Sequence, residues 1–233
     1  VKVLRGDKKA QLMVSAKVIL ALSPHPDDVE LIAGGFLSYS KNNNKEIYLI
    51  VVTDGSLGYR DEKLKDSISK IRAKEQEEAG KILGIKEIIF LNYKDTLSPE
   101  HRFLRNDIIK YIIMYKPDLV LTIDPYLRYE SHPDHLNTGF AALQAVYLSG
   151  IIHKITPPNI ALGATDSPNV YLELDEREFR DKISAISCFK SQFDDAELIA
   201  YSFSYTPEFP DKTVEAFRVL TPKELHMTPY KDL

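Results

Sequence analysis

A chain of 233 residues, 44% hydrophobic and 27% charged, is long enough to bury one full core, and a single domain over 1–233 is expected. A formal net charge of -4 and a pI near 5.9 give no basic footprint for nucleic acid. No apolar run approaches a membrane span and the first residues lack an apolar signal core, so a cytoplasmic location is expected, while the lone Cys188 excludes an intrachain disulfide and any cysteine metal cluster.

Residues 1–16, basic at Lys2, Arg5, Lys8 and Lys9 and with little periodicity, read as a short arm or edge element. The apolar run 17–23 is the first strand. A helix over 29–41 follows, in which Gly34 and Gly35 point to close packing on the sheet or to a ligand near the backbone. Residues 46–53 form a second buried strand that ends in the Gly-bearing loop Asp54 to Tyr59. A helix over 64–83 carries Leu64, Ile68, Ile71, Ala79 and Ile82 on one face and stops at Gly84. Glu75 falls within that stripe, and Arg72 three residues earlier is placed to pair with it as a buried ion pair; a site role for Arg72 is the sharper option.

A third strand spans 87–91. Ser98 and Pro99 read as the cap and first residue of a helix running to Lys116, with His101 on its surface. A fourth strand, 118–123, and a helix over 134–149 come next, then a loop with His153, Pro157 and Pro158, a fifth strand over 169–174 and a helix over 176–190. Cys188, in an apolar stretch of that helix, reads as a buried, inert thiol. From Ser191 the chain is loop-rich and aromatic, with a late edge strand at 214–220. Strands alternating with helices specify an α/β fold, a Rossmann-like three-layer α/β/α arrangement with a mostly parallel central sheet. No G-x-G-x-x-G and no P-loop occurs, so neither a dinucleotide nor a nucleoside triphosphate is indicated.

Two stretches mirror each other at strand ends, where open α/β sheets bind ligands: Ser23-Pro24-His25-Pro26-Asp27-Asp28 and Glu130-Ser131-His132-Pro133-Asp134-His135. His25 with Asp28, and His132 with His135, are spaced to face one cation. Two His and one carboxylate make a zinc site that keeps a position open for water, with the remaining members left for acid or base work. The plainer explanation is helix capping, by Asp27 with Glu30 and by Ser131 with Asp134, which accounts for neither His25 nor His135.

The motifs Pro24-His25-Pro26-Asp27-Asp28 and His132-Pro133-Asp134-His135 resemble the paired signature of the zinc-dependent de-N-acetylases of the LmbE-like, or PIG-L, family. Thr53-Asp54-Gly55 with Gly58, Arg72 to Glu75 before Leu83-Gly84, and Lys182 through Ser191-Gln192 extend the likeness over about 17–192, leaving 193–233 as a C-terminal extension. The resemblance implies one Zn²⁺ per chain held by His25, Asp28 and His135, and such a donor set also accepts iron or cobalt. It further implies Asp27 as general base, His132 as the group that stabilises the oxyanion or protonates the amine, and Asp134 as its orienting partner. Arg72 and the Asp54 loop would bind the sugar, and Tyr129 lies near the place of a mobile tyrosine. Many members carry a histidine before the C-terminal Ser-Gln, where this chain has Phe189 and Lys190. The implied reaction is removal of the acetyl group from an N-acetylglucosamine-type sugar, a small-molecule partner. A metal-dependent hydrolase of another amide or ester, and a non-catalytic sugar-binding module, are the alternatives. For the aromatic tail after Ser191, two roles stay open: lining that pocket or forming a homo-oligomer interface.

Overall fold

The computed structural model describes residues 1–226. In chain order its elements are β1 (Lys2–Arg5), α1 (Asp7–Val14), β2 (Val18–Ser23), α2 (Asp28–Asn42), β3 (Glu46–Thr53), α3 (Ile68–Leu83), β4 (Glu87–Tyr93), α4 (His101–Tyr115), β5 (Leu119–Ile123), α5 (Pro133–Ile152), β6 (Asn159–Gly163), β7 (Val170–Glu173), α6 (Glu176–Ile186), α7 (Ala196–Ser202) and β8 (Val214–Leu220).

Side chains that alternate along each central strand build two cores. Ile19 and Ala21 of β2, Ile47, Leu49 and Val51 of β3, and Leu119 and Leu121 of β5 face one cluster with residues of α1, α2, α3 and α6. Leu20 and Leu22, Tyr48, Ile50 and Val52, and Val120 face the other, closed by α4 and α5. Strands apolar on both faces are those of a covered parallel sheet. Each such Leu, Ile or Val contributes about 1.5–3 kcal/mol by leaving water.

The eight strands form one sheet in the order β1-β7-β8-β6-β5-β2-β3-β4. β4, β3, β2, β5 and β6 run parallel, whereas the β6-β8, β8-β7 and β7-β1 pairs are antiparallel. From β2 the chain winds outward to β3 and β4, then returns to the other side of β2 for β5 and β6. The neighbours β2 and β5 therefore flank a topological switch point, and their C-terminal ends open a crevice.

The sheet departs from the sequence reading in several places. Residues 214–220 are an interior strand between β7 and β6, not an edge. Residues 159–163, within the expected loop, are the central strand β6, and 7–14 and 196–202 are helical. α3 begins at Ile68 after a separate 3₁₀ turn at Glu62–Leu64, α4 begins at His101 rather than Pro99, and α6 stops at Ile186. The last residues of the expected C-terminal extension, 227–233, lie outside the described residues.

One buried contact ties the late strand to the helix that follows the first motif. Lys182 of α6 and Glu215 of β8, both fully buried, pair at 2.8 Å. The same carboxylate accepts from the amides of Gly35 at 2.9 Å and Phe36 at 2.8 Å, mid-helix donors that a straight helix directs along its own axis. Gly34 makes this approach feasible, since a Cβ there would stand 2.9 Å from Lys182 Cγ. Burial lowers the Lys182 pKa while Glu215 opposes the shift. Lys182→Met is expected to destabilise the protein by about 3 kcal/mol, because it strands a buried carboxylate. Urea unfolding of the two proteins side by side measures the difference, and a change within error would show that the amides alone satisfy Glu215.

Candidate active site

β2 ends at Ser23 and β5 at Ile123, and the two motifs leave those ends into α2 and α5. Ser23 Oγ donates to His25 O at 2.6 Å and accepts from the Val29 amide at 3.2 Å, which folds the first motif into a tight turn. Asp28 then enters the first turn of α2, where a carboxylate is favoured by the helix dipole. Its Oδ2 accepts from the His25 backbone N–H at 2.8 Å and lies 3.1 Å from His25 Nδ1. Its Oδ1 stands 3.5 Å from His135 Nε2. Asp28 thus stands between His25 and His135, one carboxylate oxygen toward each ring, and the two ring centroids lie 5.2 Å apart. Ligand atoms placed about 2.0–2.2 Å from a tetrahedral zinc stand roughly 3.3–3.6 Å apart, a spacing near that of each of these two contacts.

The far nitrogens of both imidazoles face carboxylates. His25 Nε2 lies 3.2 Å from Asp134 Oδ2 and 3.4 Å from Asp95 Oδ1, and His135 Nδ1 lies 3.0 Å from Glu130 Oε2. Outer carboxylates of this kind fix the tautomer of a metal-binding histidine. Neither Asp95 nor Glu130 was given a role from sequence. Glu130 stood inside the second motif, whereas Asp95 lies in the β4–α4 connection, where only its proximity in space marks it. Two further donor groups overlap these three residues, each with ligand atoms within 4.8 Å of one another: His25, His132 and His135, and His25, Asp95, His132 and Asp134.

The surrounding carboxylates favour positive charge on both imidazoles. Burial opposes charge on His25, yet Asp134, Asp28 and Asp95 outweigh it and push the pKa up to about 12. His135 shows the same opposition, and Asp28 and Glu130 push it up to about 9. For Asp28 burial works upward, but the hydrogen bonds of His135 and His25 hold the group well below the usual carboxylate range. Asp134 sits at about 2, its burial outweighed by His25 and by the amides of Thr96 and Ser98.

Asp27 is the strained residue of the turn. Its φ of 111° lies in the left-handed region, where a side chain costs about 1–3 kcal/mol unless its surroundings fix it. Arg72 of α3 supplies much of that fixing: Nη2 donates to Asp27 Oδ2 at 2.9 Å and to Pro26 O at 2.6 Å, and Nη1 donates to Gly55 O at 3.1 Å. Gly55, at φ 60°, leaves room for the guanidinium, since a Cβ there would lie 2.6 Å from Nη1. Burial raises the Asp27 pKa to about 8 against the pull of Arg72. The expected Arg72–Glu75 pair does not form. Glu75 instead accepts from the Ser191 amide at 2.9 Å and hydroxyl at 2.6 Å, because tertiary partners outcompete the helical neighbour. Arg72→Lys is expected to lower kcat about 10²-fold with metal content unchanged, since one ammonium cannot keep three contacts and a small displacement of a reacting group is amplified in the rate. Steady-state kinetics and metal analysis on one preparation test it; kcat within twofold would deny Arg72 this role.

His132 caps α5: its Nδ1 accepts from the Asp134 amide at 3.3 Å. Burial and the charges of His25 and His135 lower its pKa, so the ring is neutral and carries its proton on Nε2. The Asp134 side chain reaches His25 rather than His132, so the orienting partner expected for His132 acts through its backbone instead. Ser131, the expected cap, directs its hydroxyl to Tyr129 O at 3.2 Å, and Asp27 makes no side-chain capping bond.

These groups line a cleft of about 250 Å³ formed by His25, Leu57, Gly58, Arg72, Asp95, Thr96, His132 and His135. Asp54 is occupied elsewhere, accepting from Lys94 at 2.8 Å and from the amides of Ser56 and Asp95 at 3.1 and 3.2 Å, so it shapes the loop rather than facing the cleft. Tyr129 is 90% exposed and is not among the lining residues. Phe189, which precedes Ser191-Gln192, is fully buried in the core, while Gln192 reaches Gly58 O at 2.9 Å beside the cleft.

The family profile described as PIG-L: GlcNAc-PI de-N-acetylase matches residues 20–146. Diacetylchitobiose deacetylase of Thermococcus kodakarensis is 32% identical over 189 residues, covering 76% of this chain and 70% of that protein. A probable N-acetyl-alpha-D-glucosaminyl L-malate deacetylase 2 of Bacillus anthracis is 30% identical over 94% of this chain and 99% of its own length. The crystal structure of N,N'-diacetylchitobiose deacetylase from Pyrococcus horikoshii, in complex with an inhibitor, superposes with a TM-score of 0.85 at 32% identity over 95% of this chain and 90% of that one.

Proposed function

The chain belongs to the PIG-L family of GlcNAc-PI de-N-acetylases, and on that premise we propose that it is a metal-dependent hydrolase that removes the acetyl group from the N-acetylglucosamine unit of a small sugar or sugar conjugate. The observation that carries the reading is Asp28 set between His25 and His135, with His25, His132 and His135 lining one cleft and Asp27 adjoining Asp28 in the turn. The sugars named for the two curated relatives share an acetamido group on glucosamine, and that group is what such a cleft would process. Among the described residues no helix is long and apolar enough to cross a membrane.

His25, Asp28 and His135 would hold the ion, and the two-imidazole, one-carboxylate donor set suits zinc. Bound there, a zinc ion supplies Lewis-acid polarisation of the acetamide carbonyl and lowers the pKa of a water molecule from about 15.7 towards 7. Asp27 adjoins Asp28 in the turn, so positive charge there favours its ionised form and readies it to take a proton from the attacking water. Arg72 keeps that carboxylate in place through the bond to Oδ2. The neutral His132 directs an Nε2 proton at the oxyanion that forms as the carbonyl carbon becomes tetrahedral. When the C–N bond breaks, the proton held by Asp27 passes to the departing nitrogen, giving acetate and a free amino sugar. Asp134, Asp95 and Glu130 stay outside this sequence and hold the two ligand imidazoles.

The test uses chelator-treated protein with and without added zinc, given N-acetylglucosamine, diacetylchitobiose and an N-acetylglucosaminyl malate. Acetate and primary amine released in equal amounts, and only with metal, are the expected products. Folded, metal-loaded protein that releases acetate from none of these sugars but hydrolyses other amides or esters would overturn the assignment.

A further inference from the structure

The turn that carries Asp27 has a second support, on the backbone. The Asp27 amide donates to Gln76 Oε1 at 3.2 Å, and Gln76 Nε2 donates to Glu30 Oε1 at 2.7 Å. Gln76 and Glu30 are both fully buried. Gln76 follows Arg72 by one helical turn on α3, so the two side chains leave the same face. Arg72 grips the Asp27 carboxylate and Gln76 meets its amide. Only one orientation of the Gln76 amide satisfies both neighbours. Reversed, its NH₂ would oppose the Asp27 N–H, and its oxygen would oppose the Glu30 carboxylate.

The Asp27 N–H requires the Gln76 oxygen, and Glu30 receives the Gln76 amino group on the far side. Among the described residues the Glu30 Oε2 has no partner, so this buried acid has one hydrogen bond to a side chain and one bare oxygen. Burial of that kind is costly, and a purely packing role would be served as well by an apolar residue. We infer that Glu30 and Gln76 are positioning residues: Glu30 fixes the Gln76 amide, and Gln76 in turn holds the left-handed Asp27 backbone so that its carboxylate stays on Arg72 beside Asp28. The inference rests on Asp27 being the proton acceptor of the proposed reaction. It predicts that the rate, rather than substrate affinity or metal binding, depends on the pair.

The experiment measures kcat and KM for acetate release from diacetylchitobiose by zinc-loaded enzyme, together with zinc stoichiometry and the thermal midpoint. Gln76→Met is expected to lower kcat about 10–100-fold, with KM within about twofold and one zinc retained. Glu30→Gln keeps an acceptor for Gln76 and is expected to retain kcat within about threefold, whereas Glu30→Met loses about tenfold. Gln76→Glu has no donor for Glu30 and loses rate; combined with Glu30→Gln, which exchanges donor and acceptor, it regains it. This exchange also carries the test should Gln76→Met fail to fold. In an Asp27→Asn background, Gln76→Met is expected to cost nothing further, because both act through one residue. Unchanged kcat in folded Gln76→Met, a loss that follows zinc content, no recovery in the exchanged pair, or full additivity with Asp27→Asn would each overturn the inference. An Asp27→Asn enzyme of normal rate would instead remove the proposed base itself, so the two failures are distinguishable.

Discussion

Asn in place of Asp27 is expected to lower kcat about 10²–10⁴-fold while leaving zinc content and KM near their original values. The substitution is nearly isosteric, and an Asn Oδ1 still accepts from Arg72, so the turn and its left-handed φ are preserved. What disappears is the ability to accept a proton from water. Asp27 is not among the three proposed ligands, His25, Asp28 and His135, which separates this variant from one that empties the site. Kinetics and metal analysis on the same sample decide the matter: a rate within tenfold of the original would hand the base role to another group, with His132 next in line.

Removal of His135 should act on a different quantity. His135→Ala deletes one of the three proposed ligands and leaves Asp28 and Glu130 facing each other across the gap. We expect this protein to hold less than about a tenth of an equivalent of zinc after dialysis and to lose activity to background, since two ligands rarely retain the metal. Stability gives an independent readout. A ligand at about 1,000 times its Kd stabilises by about 4.1 kcal/mol, which for a chain of this size raises the thermal midpoint by roughly 8–16 °C. The original protein should show such a rise on adding zinc to the chelated form, and His135→Ala should not. An equal rise in both would place the ion elsewhere, with the group His25, Asp95, His132 and Asp134 as the nearest candidate.

The two motifs were legible because each follows an apolar strand that is unmistakable by pattern, and the helix after each fixes where its side chains leave the sheet. Local signals failed where tertiary neighbours decide. β6, Asn159–Gly163, is short, ends in Gly and follows two prolines, so nothing local distinguishes it from a loop; its strand character comes from lying between β5 and β8. β8 has clear strand character, but its interior place depends on β7 pairing to its other side. Helical spacing proposed Arg72 with Glu75, while Asp27 and Ser191, 45 and 116 residues away, claim them instead. Asp95 and Gln76 carried no pattern at all, and Glu30 resembled half of a capping box. Each gains meaning only once α2, α3 and the β4–α4 connection are packed around the first motif.

The bond from Glu215 to α2 also sets an order of events during synthesis. The amides of Gly35 and Phe36 belong to the helix that begins at Asp28, yet their acceptor is encoded 180 residues later. At about 5–20 residues per second, a ribosome needs on the order of 10–40 s to make that stretch. Through this interval the nascent chain already carries the first motif, and after residue 135 both motifs, with the α2 amides still lacking Glu215. The half of the sheet that carries both motifs precedes β8 in the chain, yet two amides of its first helix are satisfied by a β8 carboxylate.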